Sequence, residues 1–230
     1  MPDRDDSVRL GPDEALLRLV EGNRRFVADE AEHPDQTVSR RAFLGGSQHP
    51  FAAVFSCADS RVPPEIVFDA GLGDLFVVRS AGHVLDHAIL GTLEFGVDQL
   101  GCPLLVVLGH TGCGAVRATF RAVSRHEGAS GTDIDTLVEA ITPAVVDAGR
   151  DGVDDAHLVD AAVRHNVERV VADVVAAPLV APAVARGAVL VVGAVYDLST
   201  GAVELVVTPG GVPLPAAPAA SSLVSQRMAT

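Results

Sequence analysis

Three side chains of metal-binding types occur in two short clusters of this 230-residue chain. Cys57 opens the segment Cys-Ala-Asp-Ser-Arg, and His110 opens the segment His-Thr-Gly-Cys-Gly, which contains Cys113. Two thiolates and one imidazole form a soft donor set that suits zinc in tetrahedral coordination. A fourth position is left for water or for the carboxylate of Asp59. An open position of this kind is typical of catalytic zinc sites and not of structural ones.

Asp59 and Arg61 follow Cys57 closely, on the loop that leaves a predicted strand. An arginine can hold a carboxylate with two hydrogen bonds. Held in this way, Asp59 can accept a hydrogen bond from zinc-bound hydroxide and orient it for attack. Alternatively, Asp59 can occupy the fourth metal position and switch the site off. The pair is therefore a candidate gate, and both roles of Asp59 stay open.

Alternating strands and helices predict an α/β fold. We expect a mostly parallel central sheet of four strands plus an antiparallel edge strand, flanked by helices, with an N-terminal helical arm. The predicted strands are Phe51–Ser56, Leu75–Val78, Leu104–Leu108, Val189–Tyr196 and Val203–Val207, and Asp197 to Gly201 forms the last turn. The predicted helices are Asp86–Leu100, Ala115–His126, a stretch within Asp133–Ala148, and Ala156–Val175.

The two ligand clusters both lie at the carboxyl ends of predicted strands. Sites in open α/β sheets form at this edge. If the strands before Cys57 and His110 are neighbours, the ligands converge without long loops.

We expect one domain over residues 1–208, followed by a flexible tail at 209–230, where Gly, Pro, Ala and Ser show no periodic pattern. The helical arm at 12–45 begins at Pro12 and could pack on a partner subunit. Within it, Ser39 to Leu44 spells a twin-arginine export motif. Because no apolar stretch follows, we interpret this segment as a surface helix.

Composition excludes several classes of protein. The net charge of −13 argues against nucleic acid as a partner. No run reaches the ~18 apolar residues of a membrane span. Three cysteines are too few for a disulfide framework and fit a reducing compartment. We expect Cys102 to be a buried structural residue. With no secretory signal at the N-terminus, these features predict a cytoplasmic location.

The motifs together resemble the β-class carbonic anhydrases. The similarity is carried by the segment from Cys57 to Glu65 and by the segment from His110 to Gly114. Glu21–Phe26, Gly73–Gly82 and Gly91–Phe95 are similar to further family segments, so the resemblance runs from about Leu16 to Val207.

The resemblance implies a zinc enzyme with one zinc ion per chain, bound by Cys57, His110 and Cys113. Asp59 is implied either as the fourth ligand or as the partner of Arg61 in a dyad. The implied reaction is the reversible hydration of carbon dioxide to bicarbonate and a proton by attack of zinc-bound hydroxide. The implied assembly is a dimer or tetramer with the active site at the dimer interface. Residues implied to contact substrate are Gln48, across that interface, and Phe76, Ala81 and Phe95, which line the carbon dioxide pocket.

The chain departs from the family pattern at three positions. Phe95 stands where many relatives have Tyr. Ser80 and His83 stand in a segment that more often reads Arg-Asn-Ala-Gly-Asn, and similar His-containing versions occur in actinobacterial-type members. His83, or a buffer molecule, is a candidate to carry the released proton. The chain has no Trp, so we do not expect the allosteric bicarbonate site of some members.

Two alternatives use the same residues. One is a hydrolase of a carbon dioxide analogue, such as carbonyl sulfide or carbon disulfide. The other is a non-catalytic zinc or redox module, in which Asp59 is a permanent ligand or the thiols of Cys57 and Cys113 oxidise reversibly.

Overall fold

A five-stranded mixed sheet forms the centre of the protein. The computed structural model describes residues 9–154 and 157–208, and the predicted tail at 209–230 lies outside them. The strand order is β2-β1-β3-β4-β5; the first four strands are parallel, and β5 is antiparallel to β4. The predicted fold class is thereby confirmed. The strands are β1 (Ala52–Cys57), β2 (Leu75–Ser80), β3 (Leu104–His110), β4 (Leu190–Tyr196) and β5 (Val203–Val207).

Helices cover both faces of the sheet. The four longer helices after β2 correspond to predicted helices, with ends shifted by a few residues: Asp86, for example, caps its helix by accepting a hydrogen bond from the N–H of Ile89 at 2.8 Å. The predicted start at Ala156 lies outside the described residues. The helices are α1 (Pro12–Val27), α2 (Val38–Phe43), α3 (Pro64–Val67), α4 (His87–Asp98), α5 (Gly114–Arg125), α6 (Ile134–Arg150), α7 (Leu158–Val175) and α8 (Val180–Ala185), with a 3-10 turn at Ala81–His83.

The central strands are buried on both faces. Every residue of β1 and β3 is buried, as expected for parallel strands between two helical layers. Side chains alternate between the layers: Phe55 and Cys57 of β1 join the core under α4–α7, whereas Val54 joins the core under α1 and α3. Cys57 therefore points to the face that α5 and α7 cover.

Helix α7 lies unusually close to the sheet, at two glycines. A Cβ atom on Gly109 of β3 would come within 2.8 Å of Val167, and one on Gly193 of β4 within 2.6 Å of the same side chain. Only glycine therefore fits at these positions. The close contact brings polar side chains of α7 beside the carboxyl ends of β1 and β3.

Helix α1 packs on the chain's own sheet. Ala15, Leu16 and Leu19 are buried in the core that includes β1 and β3. Asn23 fixes the end of this helix by donating to the carbonyls of Val67 and Gly201, at 3.0 and 2.9 Å. The inward face of the predicted arm is thus covered within one chain, while the division at 12–45 stays a prediction.

The predicted surface helix at Ser39–Leu44 is α2, but it is anchored by a buried arginine. Phe43 is exposed, whereas Arg40 is completely buried and donates from Nε to the carbonyl of Leu72 at 3.2 Å. Its Nε also lies 4.0 Å from Oδ1 of Asp35. In the described part of the chain, no helix combines the length and apolar character needed to span a membrane.

Candidate metal centre

The three predicted ligands converge at the carboxyl edge of the sheet. Strands β1 and β3 are neighbours; Cys57 ends the first, His110 ends the second, and Cys113 caps the N-terminus of α5. All three side chains are buried, and their ligand atoms lie within 4.8 Å of one another. Among the described residues, no other group of three or more His, Cys, Asp or Glu side chains meets this geometry.

The donor set fits a zinc ion. The sulfurs of Cys57 and Cys113 are 4.0 Å apart, close to the ~3.8 Å expected between two thiolates at ~2.3 Å from one tetrahedral zinc. Nδ1 of His110 lies 3.0 Å from the carbonyl oxygen of Thr111, to which it donates. This fixes the tautomer and leaves Nε2, which is buried without a hydrogen-bond partner, free to bind the metal.

The protonation of the two thiols also favours a cation. A hydrogen bond from the Cys113 thiol lowers the pKa of Cys57. The pKa of Cys113 is raised because its proton is held by Cys57 and because it is buried. These directions mean that the two sulfurs share one proton more readily than they lose both. The second thiolate requires a neighbouring positive charge, which a divalent metal ion supplies.

Asp59 and Arg61 form the predicted pair at the rim of the centre. Nε and Nη2 of Arg61 donate to the two carboxylate oxygens of Asp59 at 2.9 and 2.8 Å, and the Arg61 backbone N–H adds a third bond at 3.0 Å. The guanidinium of Arg61 holds the pKa of Asp59 well below its usual range. Asp59 is therefore ionised at neutral pH, and its Oδ2 lies 3.9 Å from Nε2 of His110.

Two further side chains hold the ligand loops. Arg79 of β2 donates from Nε to the carbonyl of Cys57 at 3.0 Å and from Nη2 to the carbonyl of Asp59 at 2.6 Å. Asp160 of α7 accepts a 2.8 Å hydrogen bond from the N–H of Gly112, between His110 and Cys113. Sequence reasoning missed both roles. Arg79 lay in a segment already singled out, whereas nothing in the sequence marked Asp160.

The Ala81–His83 turn closes the centre from the side of β2. The N–H of Gly82 points at the sulfur of Cys57, 3.3 Å away. His83 is completely buried, and burial lowers its pKa to about 4. This burial favours a buffer molecule over His83 as the carrier of the released proton, and the choice between the two stays a prediction.

Comparison with known proteins identifies the family. A family model described as carbonic anhydrase matches residues 52–203, which include all three ligands. The chain belongs to the carbonic anhydrase family. It is 45% identical over 195 residues to the carbonic anhydrase of Mycolicibacterium smegmatis, covering 84% of this chain and 93% of the relative. It is 44% identical over 192 residues to carbonic anhydrase 2 of Mycobacterium tuberculosis, covering 83% and 90%.

Solved structures place the chain in the β-class of carbonic anhydrases. The β-carbonic anhydrase of Coccomyxa, solved with acetazolamide, is 30% identical, with a TM-score of 0.65 over 83% of this chain and 85% of that one. One of two tetrameric β-carbonic anhydrases from Sordaria macrospora has the same TM-score at 23% identity, over 72% and 84%, and shares the fold. The resemblance to this class is confirmed, and the chain is an enzyme of the family.

The four residues of this carbonic anhydrase family member that were predicted to contact substrate do not all lie together. The rings of Phe76 and Phe95 lie together, with centroids 6.3 Å apart, and Phe95 is 48% exposed. Ala81 is half-buried at the start of the turn beside Cys57. Gln48 is exposed in the loop after α2, and within the described residues no hydrogen bond joins it to the metal centre. The role of each residue toward substrate stays a prediction.

Proposed function

We propose that this protein catalyses the reversible hydration of carbon dioxide to bicarbonate and a proton, using one zinc ion held by Cys57, His110 and Cys113. The observation that carries this proposal is the buried convergence of these ligand atoms within 4.8 Å, beside a carboxylate that an arginine holds. The similarity to relatives named carbonic anhydrase supports the choice of reaction.

Zinc, when bound, supplies a Lewis acid that makes water nucleophilic near neutral pH. His110 would bind it through Nε2, because Nδ1 is engaged with the carbonyl of Thr111. Cys57 and Cys113 would bind as thiolates and so balance the charge of the ion. Their sulfurs already lie at a suitable separation, so binding requires little rearrangement of the two strand ends.

Asp59 orients the nucleophile in this proposal. An ionised carboxylate can only accept hydrogen bonds, so Asp59 binds a nucleophile that still carries a proton. This hydrogen bond turns a lone pair of the nucleophile toward carbon dioxide. Arg61 keeps both carboxylate oxygens in place. In the alternative role, Asp59 leaves Arg61 and becomes the fourth metal ligand, which would switch the site off.

The substrate pocket is assigned to the apolar surface of Phe76, Phe95 and Ala81. Carbon dioxide carries no net charge, and an apolar wall holds it without competing for the polar groups of the centre. We assign Gln48 to the active site of a partner subunit, in a dimer or tetramer, where its amide would contact bicarbonate. Tetrameric relatives support self-association, and a cytoplasmic location stays a prediction of the sequence.

Stopped-flow measurement of carbon dioxide hydration, on protein of known metal content, tests the proposal. We expect rapid turnover that rises with pH, with one zinc ion per chain. Cys113→Ala should lose both zinc and activity. Cys102→Ala is the matched control, because Cys102 is also buried but lies outside the metal-binding group, and it should keep both.

Two other results would contradict the proposal. A fully zinc-loaded protein that hydrates no carbon dioxide, yet hydrolyses carbonyl sulfide or carbon disulfide, would be a sulfur-analogue hydrolase. A protein inactive on all three compounds that releases zinc on oxidation of Cys57 and Cys113 would be a redox module.

A further inference from the structure

The sulfur of Cys57 receives a hydrogen bond from the backbone. The N–H of Gly82 donates to it at 3.3 Å, in a part of the turn that is buried. A donor at a metal-bound thiolate withdraws electron density from the sulfur. This effect matters in a centre with two thiolates, because together they neutralise the charge of the zinc ion and weaken its action as a Lewis acid.

The direction of this N–H depends on an unusual backbone turn. Gly82 has a φ of 63°, and His83 has a φ of 44°, which is uncommon for a residue with a side chain. A Cβ atom on Gly82 would lie 2.7 Å from Cδ1 of Ile141 and 3.0 Å from Cβ of Ala115, and the positive φ itself favours glycine there. Two successive residues in left-handed conformations persist only where surrounding groups hold them.

Asn166 of α7 is the side chain that holds the turn. It is buried, and its Nδ2 donates to the carbonyl of Gly82 at 3.0 Å and contacts Nε2 of His83 at 2.9 Å. Because Gly82 offers a carbonyl oxygen, the amide nitrogen must face it, and His83 Nε2 must then be the acceptor. Only a His83 that carries its proton on Nδ1 meets this requirement, and that Nδ1 is buried with no hydrogen-bond partner among the described residues. Both amide hydrogens of Asn166 are therefore used on this turn.

We propose that Asn166 is a positioning residue for the metal centre: it holds the Gly82–His83 turn so that the Gly82 N–H reaches the Cys57 sulfur. The hydrogen bond reduces the charge that Cys57 donates to the metal. The inference rests on the proposed zinc site and deepens it. Asn166 is not one of the proposed metal ligands or substrate residues; it acts through the backbone of Gly82.

A measurement on the unaltered protein tests the hydrogen bond itself. With ¹¹³Cd in the site, a hydrogen bond from Gly82 to the metal-bound sulfur transmits a scalar coupling between ¹¹³Cd and the Gly82 amide proton, which NMR detects. A coupling at Gly82 is the expected result. Its absence in protein that shows a single bound cadmium would overturn the inference without any variant having to fold.

Cobalt spectra of two variants test the role of Asn166. Asn166→Leu keeps most of the volume and removes both donors, and Asn166→Ala serves if leucine disturbs the core. We expect the sulfur-to-cobalt charge-transfer band to move to longer wavelength, because a sulfur without its donor releases electrons more easily. We also expect zinc affinity, measured against a chelator, to fall by about tenfold, the lower end of the range for outer-shell partners, because the released turn no longer holds the Cys57 sulfur in place, and this loss outweighs the stronger electron donation by the sulfur.

Val174→Ala is the matched control, since Val174 is also buried on α7 but belongs to its apolar core. It should lower thermal stability and leave the cobalt band unchanged. An unchanged band in a folded Asn166 variant, or an equal shift in the control, would overturn the positioning role. If the unaltered protein binds no metal at Cys57, His110 and Cys113, the proposed function fails instead.

Discussion

Nε2 of His110 lies 3.9 Å from Oδ2 of Asp59, about as near as the two cysteine sulfurs lie to each other. The carboxylate thus stands beside the candidate metal-binding atoms while Arg61 holds it from the solvent side, where the Arg61 side chain is 58% exposed. The two roles of Asp59, hydrogen-bond acceptor and fourth ligand, therefore differ by a short movement and by the loss of one ion pair.

Asp59→Asn should sharply lower turnover, by about 100-fold, within the range for groups that handle a proton in the transition state. Asparagine has the same size, but it is neutral and presents an NH₂ group where the carboxylate had an acceptor, so Arg61 loses its partner. Stopped-flow hydration measures the rate, and metal analysis should still give one zinc ion per chain. Asp173→Asn, at an exposed position of α7, is the control. Wild-type-like rates in Asp59→Asn would rule out the gate.

Asp160→Ala should weaken zinc binding by about tenfold, because Asp160 accepts the hydrogen bond from the N–H of Gly112 and so holds the His110–Cys113 loop. Gly112 has a φ of 62°, so the loop depends on this support to keep its shape. Asp160→Asn retains an acceptor oxygen at the same place and should change the affinity by less than about threefold. Chelator competition measures both variants. Equal losses in the two would show that charge, and not the hydrogen bond, is what matters.

The sequence was sufficient for the sheet and for the convergence of the three candidate metal ligands. Apolar runs of strand length, separated by helical stretches, define the layers, and the parallel order places the ends of β1 and β3 side by side. Cys57, His110 and Cys113 were predictable because residues of strong ligand character stand directly at those ends. Their positions follow from the strand pattern and the strand order, and both can be inferred from the sequence.

The supporting contacts were not predictable in the same way. Asp160 and Asn166 are single polar residues in a helical pattern, where most such residues face solvent. Their partners, Gly112 and Gly82, are distant in sequence, and the contacts exist only because Gly109 and Gly193 let α7 approach the sheet. The burial of His83 has the same origin. Short elements such as α3 and α8 carry too little periodicity to be predicted.

His165 should make stability depend on pH. It links α7 to the end of α6, with Nε2 lying 2.6 Å from Oδ2 of Asp151 and Nδ1 lying 3.2 Å from Oε2 of Glu168. The hydrogen bond with Asp151 raises the pKa of His165 above its ordinary value. A raised pKa in the folded state stabilises the protein fully below the ordinary pKa, and this contribution is lost as pH rises through the folded-state value.

His165→Ala should therefore lower the free energy of unfolding by about 0.5 kcal/mol at pH 5.5 and by less at pH 9, as expected for a partly exposed ion pair. Urea denaturation at both pH values measures the difference. Asp151→Asn should reproduce the effect, and the double variant should lose less than the sum of the two single variants. Additive losses, or a loss that grows with pH, would contradict the proposed pairing.

Gln48 offers a test of whether the active site is shared between subunits. If Gln48 contacts the zinc site of the partner subunit, a Gln48→Ala chain damages its partner's site. An Asp59→Asn chain damages its own site. Co-expressed at equal levels, they form mixed dimers that each contain one complete site, so about a quarter of all sites should be complete. We expect hydration at about that fraction of the wild-type rate, well above the rate of either variant expressed alone.

Co-expression of Asp59→Asn with Cys113→Ala is the control, because each change damages the chain's own zinc site and no mixed dimer has a complete site. If the first mixture recovers no more activity than the control, Gln48 does not act across an interface.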